Sequence, residues 1–349
     1  MSVPAAILLL LLATGASWLL TRRLRRFAAS RSMLDVPNER SSHTVPTPRG
    51  GGAAIALVTL VGVAVLGVAG VLEPRVAVAL VGGGAAVALV GWRDDRGHVS
   101  AAARAAVHLS ASAWALWWLG GLPHLTFGAA PVALGWWGWV IGVLSITWCI
   151  NFYNFMDGID GIAGAEAVMV GAVAGGLLFA GGAPGLAMTA WLVASAAAGF
   201  LPSNWSPARI FMGDVGSGLL GFLFGALAVA AERARALPLP LFALLLGVFV
   251  VDATITLVRR VLRGERWYSA HRSHAYQRAA QHGWSHRLVT SAVLALDVGL
   301  GLLVWYAVSH PVHAAVTLAL GIAGLVAVYA IVERARPMTR PPTPVAKNS

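Results

Sequence analysis

The sequence predicts an all-α fold, a polytopic integral membrane helix bundle of about eleven transmembrane helices, and three observations predict it. Of 349 residues, 58% are apolar and 11% charged, with a mean hydropathy of +0.75; soluble domains carry about 25% charged residues. Apolar runs long enough to cross a bilayer recur from end to end. The arginines gather in a few connections, the positive-inside pattern of membrane topology. That pattern accounts for the net charge of +11 without nucleic acid, for which no recognised module is present. The single cysteine, Cys149, precludes an intrachain disulfide.

The first run, 3–20, is followed by its basic residues (Arg22, Arg23, Arg25, Arg26), the reverse of a secretory signal. It is therefore a retained helix with its N-terminus on the external, periplasmic side. Further helices are expected over 51–70, 76–92, 103–119, 133–151, 165–181, 185–201, 215–231, 237–258, 288–308 and 312–332. The turn-forming cluster GGAPG separates the sixth from the seventh. Alternation of sides then places five connections in the cytoplasm: 21–50, 93–102, 152–164, 202–214 and 259–287. Connections on the opposite side are short and nearly uncharged. Residues 1–332 read as one integral membrane domain, and the Pro-rich, polar stretch 333–349 as a disordered cytoplasmic tail.

That alternation puts every polar cluster with chemical character on one face. Asp94, Asp95, Asp157, Asp160 and Asp214 sit on three cytoplasmic connections. Converging carboxylates repel unless protonated or bridged by a cation. With no Cys and few His among them, the set suits a hard, oxygen-seeking ion, and Mg²⁺ is the usual partner of phosphates. The plainer alternative pairs each acid with a nearby arginine. In the stretch NFYNFMDGIDG, Asn151, Asn154 and Asp157 are three residues apart and step about 60° around an ideal helix each time, so unwinding is expected there. Gly216 and Gly218 open the helix at about 215, whose free N–H groups would face an anion; close helix packing is the alternative role.

The segment RWYSAHRSHAYQR mixes His271, Arg272, His274 and Arg278 with Trp267, Tyr268 and Tyr276. Such residues suit phosphate contacts and base stacking. Two histidines three apart lack a third N or S ligand for zinc, and a basic loop against anionic headgroups is the plainer alternative. The first connection, DVPNERSSHTVPTPRGGG, carries His43 and Arg49 on a backbone stiffened by Pro37, Pro46 and Pro48. Together these loops read as a cytoplasm-facing site for a diphosphate, a metal and a membrane-embedded partner. A transporter or flippase of lipid-linked sugars is the rival; it requires ionisable groups near the bilayer midplane, where Asp297 is the one deep candidate.

At these loops the chain resembles the polyprenyl-phosphate N-acetylhexosamine-1-phosphate transferases, over about residues 1–332 and through five motifs in the same order. The resemblance implies transfer of a sugar 1-phosphate from a UDP-N-acetylhexosamine to undecaprenyl phosphate, with release of UMP. It implies Mg²⁺, with Mn²⁺ as an alternative, in the bacterial inner membrane. It assigns Asp94 and Asp95 to the family's aspartate pair, Asn154, Asp157 and Asp160 to its Asn-x-x-Asp-Gly-x-Asp-Gly stretch, and Asp214 to Phe-Met-Gly-Asp-x-Gly-Ser. On that basis Asp94, Asp95, Asp157 and Asp160 are catalytic candidates, and Asp214 with Asp157 the metal candidates. Asn154, His271, Arg272, His274, Arg49, His43 and Arg104 are the substrate-binding candidates. HRSHAYQR looks more like the O-antigen-initiating branch than phospho-N-acetylmuramoyl-pentapeptide transferase, whose histidine cluster is denser. A homodimer is compatible with all of this.

Overall fold

The computed structural model describes residues 1–31, 34–35, 45–97, 99–128, 130–265 and 271–338. Among them run thirteen α-helices: α1 Val3–Ser30, α2 Gly52–Val68, α3 Pro74–Arg96, α4 Ala101–Leu119, α5 Trp137–Met156, α6 Ile162–Ala180, α7 Pro184–Asn204, α8 Asp214–Arg233, α9 Leu239–Leu245, α10 Gly247–Leu262, α11 Ala275–Gln281, α12 His286–Ser309 and α13 Ala314–Ala335. Their ends follow local chemistry. Ser100 and Ser285 cap α4 and α12 by accepting from the amides of Ala103 and Leu288. Proline occupies the first turn of α3 and α7, and Gly120 closes α4 in the left-handed region.

Eight of these helices are long and apolar enough to cross a membrane, or nine with α9 and α10 taken as one bent span. The 17-residue α2 and α4, which carries Arg104, fall outside that set. The bundle is built around α8, whose apolar stretch is almost wholly enclosed by α3, α5 and α2. Small residues permit this. A Cβ on Gly52 would lie 2.4 Å from the Cα of Gly216, and one on Gly91 would lie 2.5 Å from the carbonyl carbon of Asp214. Gly216 at the head of α8 therefore serves close packing of α2 against it, while Gly218 faces Val87 of α3.

Four expectations change. The helix expected over 237–258 is two helices meeting at 89°; both halves are apolar, so hydropathy carries no sign of the break. Proline sets the start of α9, and Gly247 lets Leu325 approach within 2.7 Å of where a Cβ would stand. The connection 259–287 contains α11, because Asp252 supplies acceptors for its first amides (below). The connection after α4 holds an antiparallel hairpin, β3 His124–Phe127 with β4 Ala130–Ala133, while β1 Leu34–Asp35 pairs with β2 Thr47–Pro48. Finally, the boundary at 333 falls inside α13. Glu333, Arg336 and Met338 bond to Arg259, Arg278 and Arg263, and residues 339–349 lie outside the described part.

Contacts between connections define two ends. At one, the loops after α1, α3, α5 and α7 meet around the starts of α8 and α12. At the other, buried Glu232 accepts from Thr126 (2.6 Å) and from the amide of Leu239 (2.6 Å), joining α8, α9 and the β3–β4 hairpin.

Candidate active site

Asp94 and Asp95 end α3, Asp214 begins α8, and Arg49 precedes α2, so helix packing alone brings these groups together. Arg49 donates from Nε to Asp95 (2.8 Å) and from Nη2 to Asp214 (2.8 Å). Arg104 donates to Asp94 (2.8 Å) and Asp214 (3.2 Å). Burial works against the charge of Arg49, yet Asp95 and Asp214 outweigh it and hold the guanidinium above its ordinary pKa. Asn154, on the last turn of α5, donates to Ser217 (2.9 Å) and its amide lies against Asp214. Asp157 faces the same group: burial pushes its carboxyl up to about 7, with Arg49 opposing. Arg49, Asp94, Asp95, Arg104, Asn154, Asp157 and Asp214 thus form one constellation.

The unwinding expected from Asn151 onward starts later. Asn151 and Asn154 are helical, and α5 ends at Met156. The anion expected at the head of α8 is the protein's own. The amides of Asp214 and Val215 donate to the Asp95 oxygens (2.9 and 3.2 Å), and those of Gly216 and Ser217 to the carbonyl of Gly213. Asp95, its side chain 0% exposed, is consequently a helix cap and an arginine partner, whereas the Asp94 side chain keeps 13% of its surface exposed.

Asp160 stands apart from this constellation. It accepts from the Ala208 amide (3.1 Å) and pairs with His286 (3.4 Å), while its carbonyl accepts from Thr290 (3.0 Å). Burial works to raise its pKa, but His286 and the Ala208 amide outweigh that and hold it below the usual carboxylate range. Its carboxylate joins the loop after α5 to the loop after α7 and to α12.

The histidine segment forms a second cluster beside the first. His271 and His274 lie with ring centroids 4.8 Å apart, and His274 stacks against Phe155 and Tyr276. Tyr276 donates to the carbonyl of Phe155 (2.9 Å), tying the segment to the end of α5. Burial, with the neighbouring charges of His274 and Arg260, pushes His271 down to about 3, so it is neutral at physiological pH. Arg272 lies on the same segment, its carbonyl accepting from Gln281 (3.1 Å). His43 lies outside the described residues.

Two features escape a reading by motif. Buried Asp252 accepts from the amides of Ala275 (2.8 Å) and Tyr276 (3.1 Å) and pairs with His274 (3.4 Å); its place two turns before Arg259 and Arg260 was the only sequence signal. Asp297, deep in α12, faces Glu166 of α6. Neither carboxyl has another hydrogen-bond partner among the described residues.

No three His, Cys, Asp or Glu side chains among the described residues are arranged to enclose a metal ion. The donors present nevertheless fit Mg²⁺: they are oxygen-only, and the Asp157 carboxylate has no hydrogen bond or ion pair among the described residues. Magnesium commonly takes one or two carboxylates and completes its shell with water and substrate phosphate.

Residues 77–232, from α3 to the end of α8, match the family model described as glycosyl transferase family 4. The chain is 30% identical over 311 residues to decaprenyl-phosphate N-acetylglucosaminephosphotransferase of Mycolicibacterium smegmatis, covering 78% of this chain and 74% of that one. It is 29% identical over 327 residues to the enzyme of the same name from Mycobacterium tuberculosis, covering 83% and 78%. To undecaprenyl-phosphate α-N-acetylglucosaminyl 1-phosphate transferase of Escherichia coli it is 27% identical over 297 residues, covering 81% and 79%. The chain belongs to the polyprenyl-phosphate N-acetylhexosamine-1-phosphate transferases of glycosyl transferase family 4.

Proposed function

We propose that this protein transfers N-acetylhexosamine 1-phosphate from its UDP-sugar to a polyprenyl phosphate, undecaprenyl or decaprenyl, releasing UMP. It would do so in the bacterial cytoplasmic membrane, with its site facing the cytoplasm, at the start of cell-envelope polysaccharide synthesis. The observation that carries this reading is the gathering of Asp94, Asp157 and Asp214 around Arg49 and Arg104 at one end of an apolar bundle. The names of the relatives support N-acetylglucosamine as the sugar.

In this scheme an oxygen of the lipid phosphate forms a bond to the β-phosphorus of the donor. The bond from that phosphorus to the bridging oxygen breaks, and UMP leaves with the electron pair. A phosphate monoester has a second pKa near ~6 and is mostly dianionic at cytosolic pH, so the acceptor needs orientation more than deprotonation. Asp94, held by Arg104 and by the amide of Val99 (2.9 Å), is placed to do that. Asp214 and Asp157 would hold Mg²⁺, which when bound offsets the diphosphate charge. Arg49 and Arg104 supply fixed positive charge on either side of Asp214, and His271 with His274 contact the donor.

Purified protein incubated with labelled UDP-N-acetylglucosamine, polyprenyl phosphate and Mg²⁺ should yield UMP and a lipid-linked sugar, and Asp214→Ala should yield neither. Undiminished turnover in that variant contradicts the assignment, and a panel of UDP-hexosamines identifies the sugar.

A further inference from the structure

The segment carrying His271 and His274 is held by a part of the chain remote in sequence, the end of α13. Glu333 there is gripped by a forked pair of bonds from Arg259, Nη1 to Oε2 (2.6 Å) and Nη2 to Oε1 (2.7 Å). Arg278 of α11 donates to the same Oε2, to the carbonyl of Arg336 (2.7 Å), and from Nε to the carbonyl of Ser273 (3.1 Å). The ring of Tyr329 lies 5.8 and 5.1 Å from the guanidinium carbons of Arg259 and Arg278. Beyond the helix, the Met338 amide donates to Glu333 (3.2 Å) and its carbonyl accepts from Arg263 (2.9 Å).

A second line runs parallel. The Tyr329 hydroxyl meets Thr256 (3.4 Å), which donates to Asp252 (3.1 Å), whose oxygens accept from the amides of Ala275 and Tyr276. Both lines end on residues 273–276, around His274 and next to His271. Anchoring the end of α13 alone would require only the partly exposed Arg259–Glu333 pair. Arg278 is 2% exposed, and a buried cation is costly unless its partners are fixed. Its Nε is spent on the Ser273 carbonyl, directly before His274.

We propose that Glu333 is a positioning residue for this segment, acting through Arg278 and the Ser273 carbonyl on the two histidine rings. The inference rests on the reading of His271 and His274 as donor contacts. Steady-state kinetics on the full-length protein tests it. Glu333→Gln should raise KM for the UDP-sugar about tenfold or more, with kcat and KM for polyprenyl phosphate within about twofold of wild type. Arg278→Lys should do the same, the double variant should be no worse than the poorer single one because the two act as a unit, and Glu333→Asp should recover part of the loss. Unchanged donor KM in both single variants overturns the proposal, and so do equal rises in both KM values, which mean general loosening. If Glu333→Gln does not yield folded protein, Arg278→Lys decides by the same criteria. A wild type that releases no UMP overturns the functional reading itself; an active wild type with indifferent variants overturns only the positioning role.

Discussion

Asp95 divides two oxygens among three donors, the amides of Asp214 and Val215 and the guanidinium of Arg49. Removing it orphans two amides at the head of α8 and takes from Arg49 one of its two carboxylate partners. Asp95→Ala should therefore lower stability by about 1–3 kcal/mol, seen as an earlier thermal transition in detergent. Asp94→Asn should leave that transition nearly unmoved while cutting turnover. If both variants melt alike, the division of labour between neighbouring carboxylates is wrong. Motif resemblance made the acids legible, because five short polar clusters survive in an apolar chain only with a use. It could not separate Asp94 from Asp95, since that depends on which carboxylate points at the end of another helix. The roles of Asp252 and Glu166 are hidden for a related reason: their partners lie 23 and 131 residues away, and no spacing rule links them.

Helices were legible from apolar runs, and their ends from proline, glycine and serine. The 89° break between α9 and α10 was not, because the residues flanking it on both sides are apolar. Contact between elements adds its own prediction. Gly52 touches the backbone of Gly216 closely enough that a Cβ would stand 2.4 Å from Cα, so neither side can yield by rotating a side chain. Gly52→Ala should push α2 off α8, displace Arg49 from Asp214, and reduce UMP release at least about tenfold; wild-type activity would contradict the claim that this contact sets the arginine. Asp160 belongs to this scale too, since it joins the loop after α5 to the loop after α7 and to α12. Its folded pKa is depressed, so its contribution is full above the ordinary carboxylate value near ~3.9 and is lost as pH falls through the lower folded value. Wild type should melt above Asp160→Asn at pH 7, and the gap should close in the acid range below about pH 4. A gap that persists there would assign the effect to packing instead of charge.

Across the whole molecule, the polar connections collect at one end while Glu232, Thr126 and the β3–β4 hairpin mark the other. The arginine bias predicts that the first end faces the cytoplasm. On a Cys149→Ala background, Gln281→Cys should react with an impermeant thiol reagent only from the cytoplasmic side and Val132→Cys only from outside; the reverse pattern overturns the orientation. The right-angle turn at Leu246 bears on the membrane itself. With α10 upright α9 lies across, and the 16 residues of α10 point through the bilayer. At 1.5 Å per residue that is about 24 Å, against a hydrocarbon slab about 30 Å thick. The bundle is therefore short on this flank, a mismatch that lipid thinning would meet, because Arg259 and Arg263 are held by Glu333 and the Met338 carbonyl. Bilayer thickness becomes a variable to which this side of the protein, and the histidine segment that follows α10, is directly exposed.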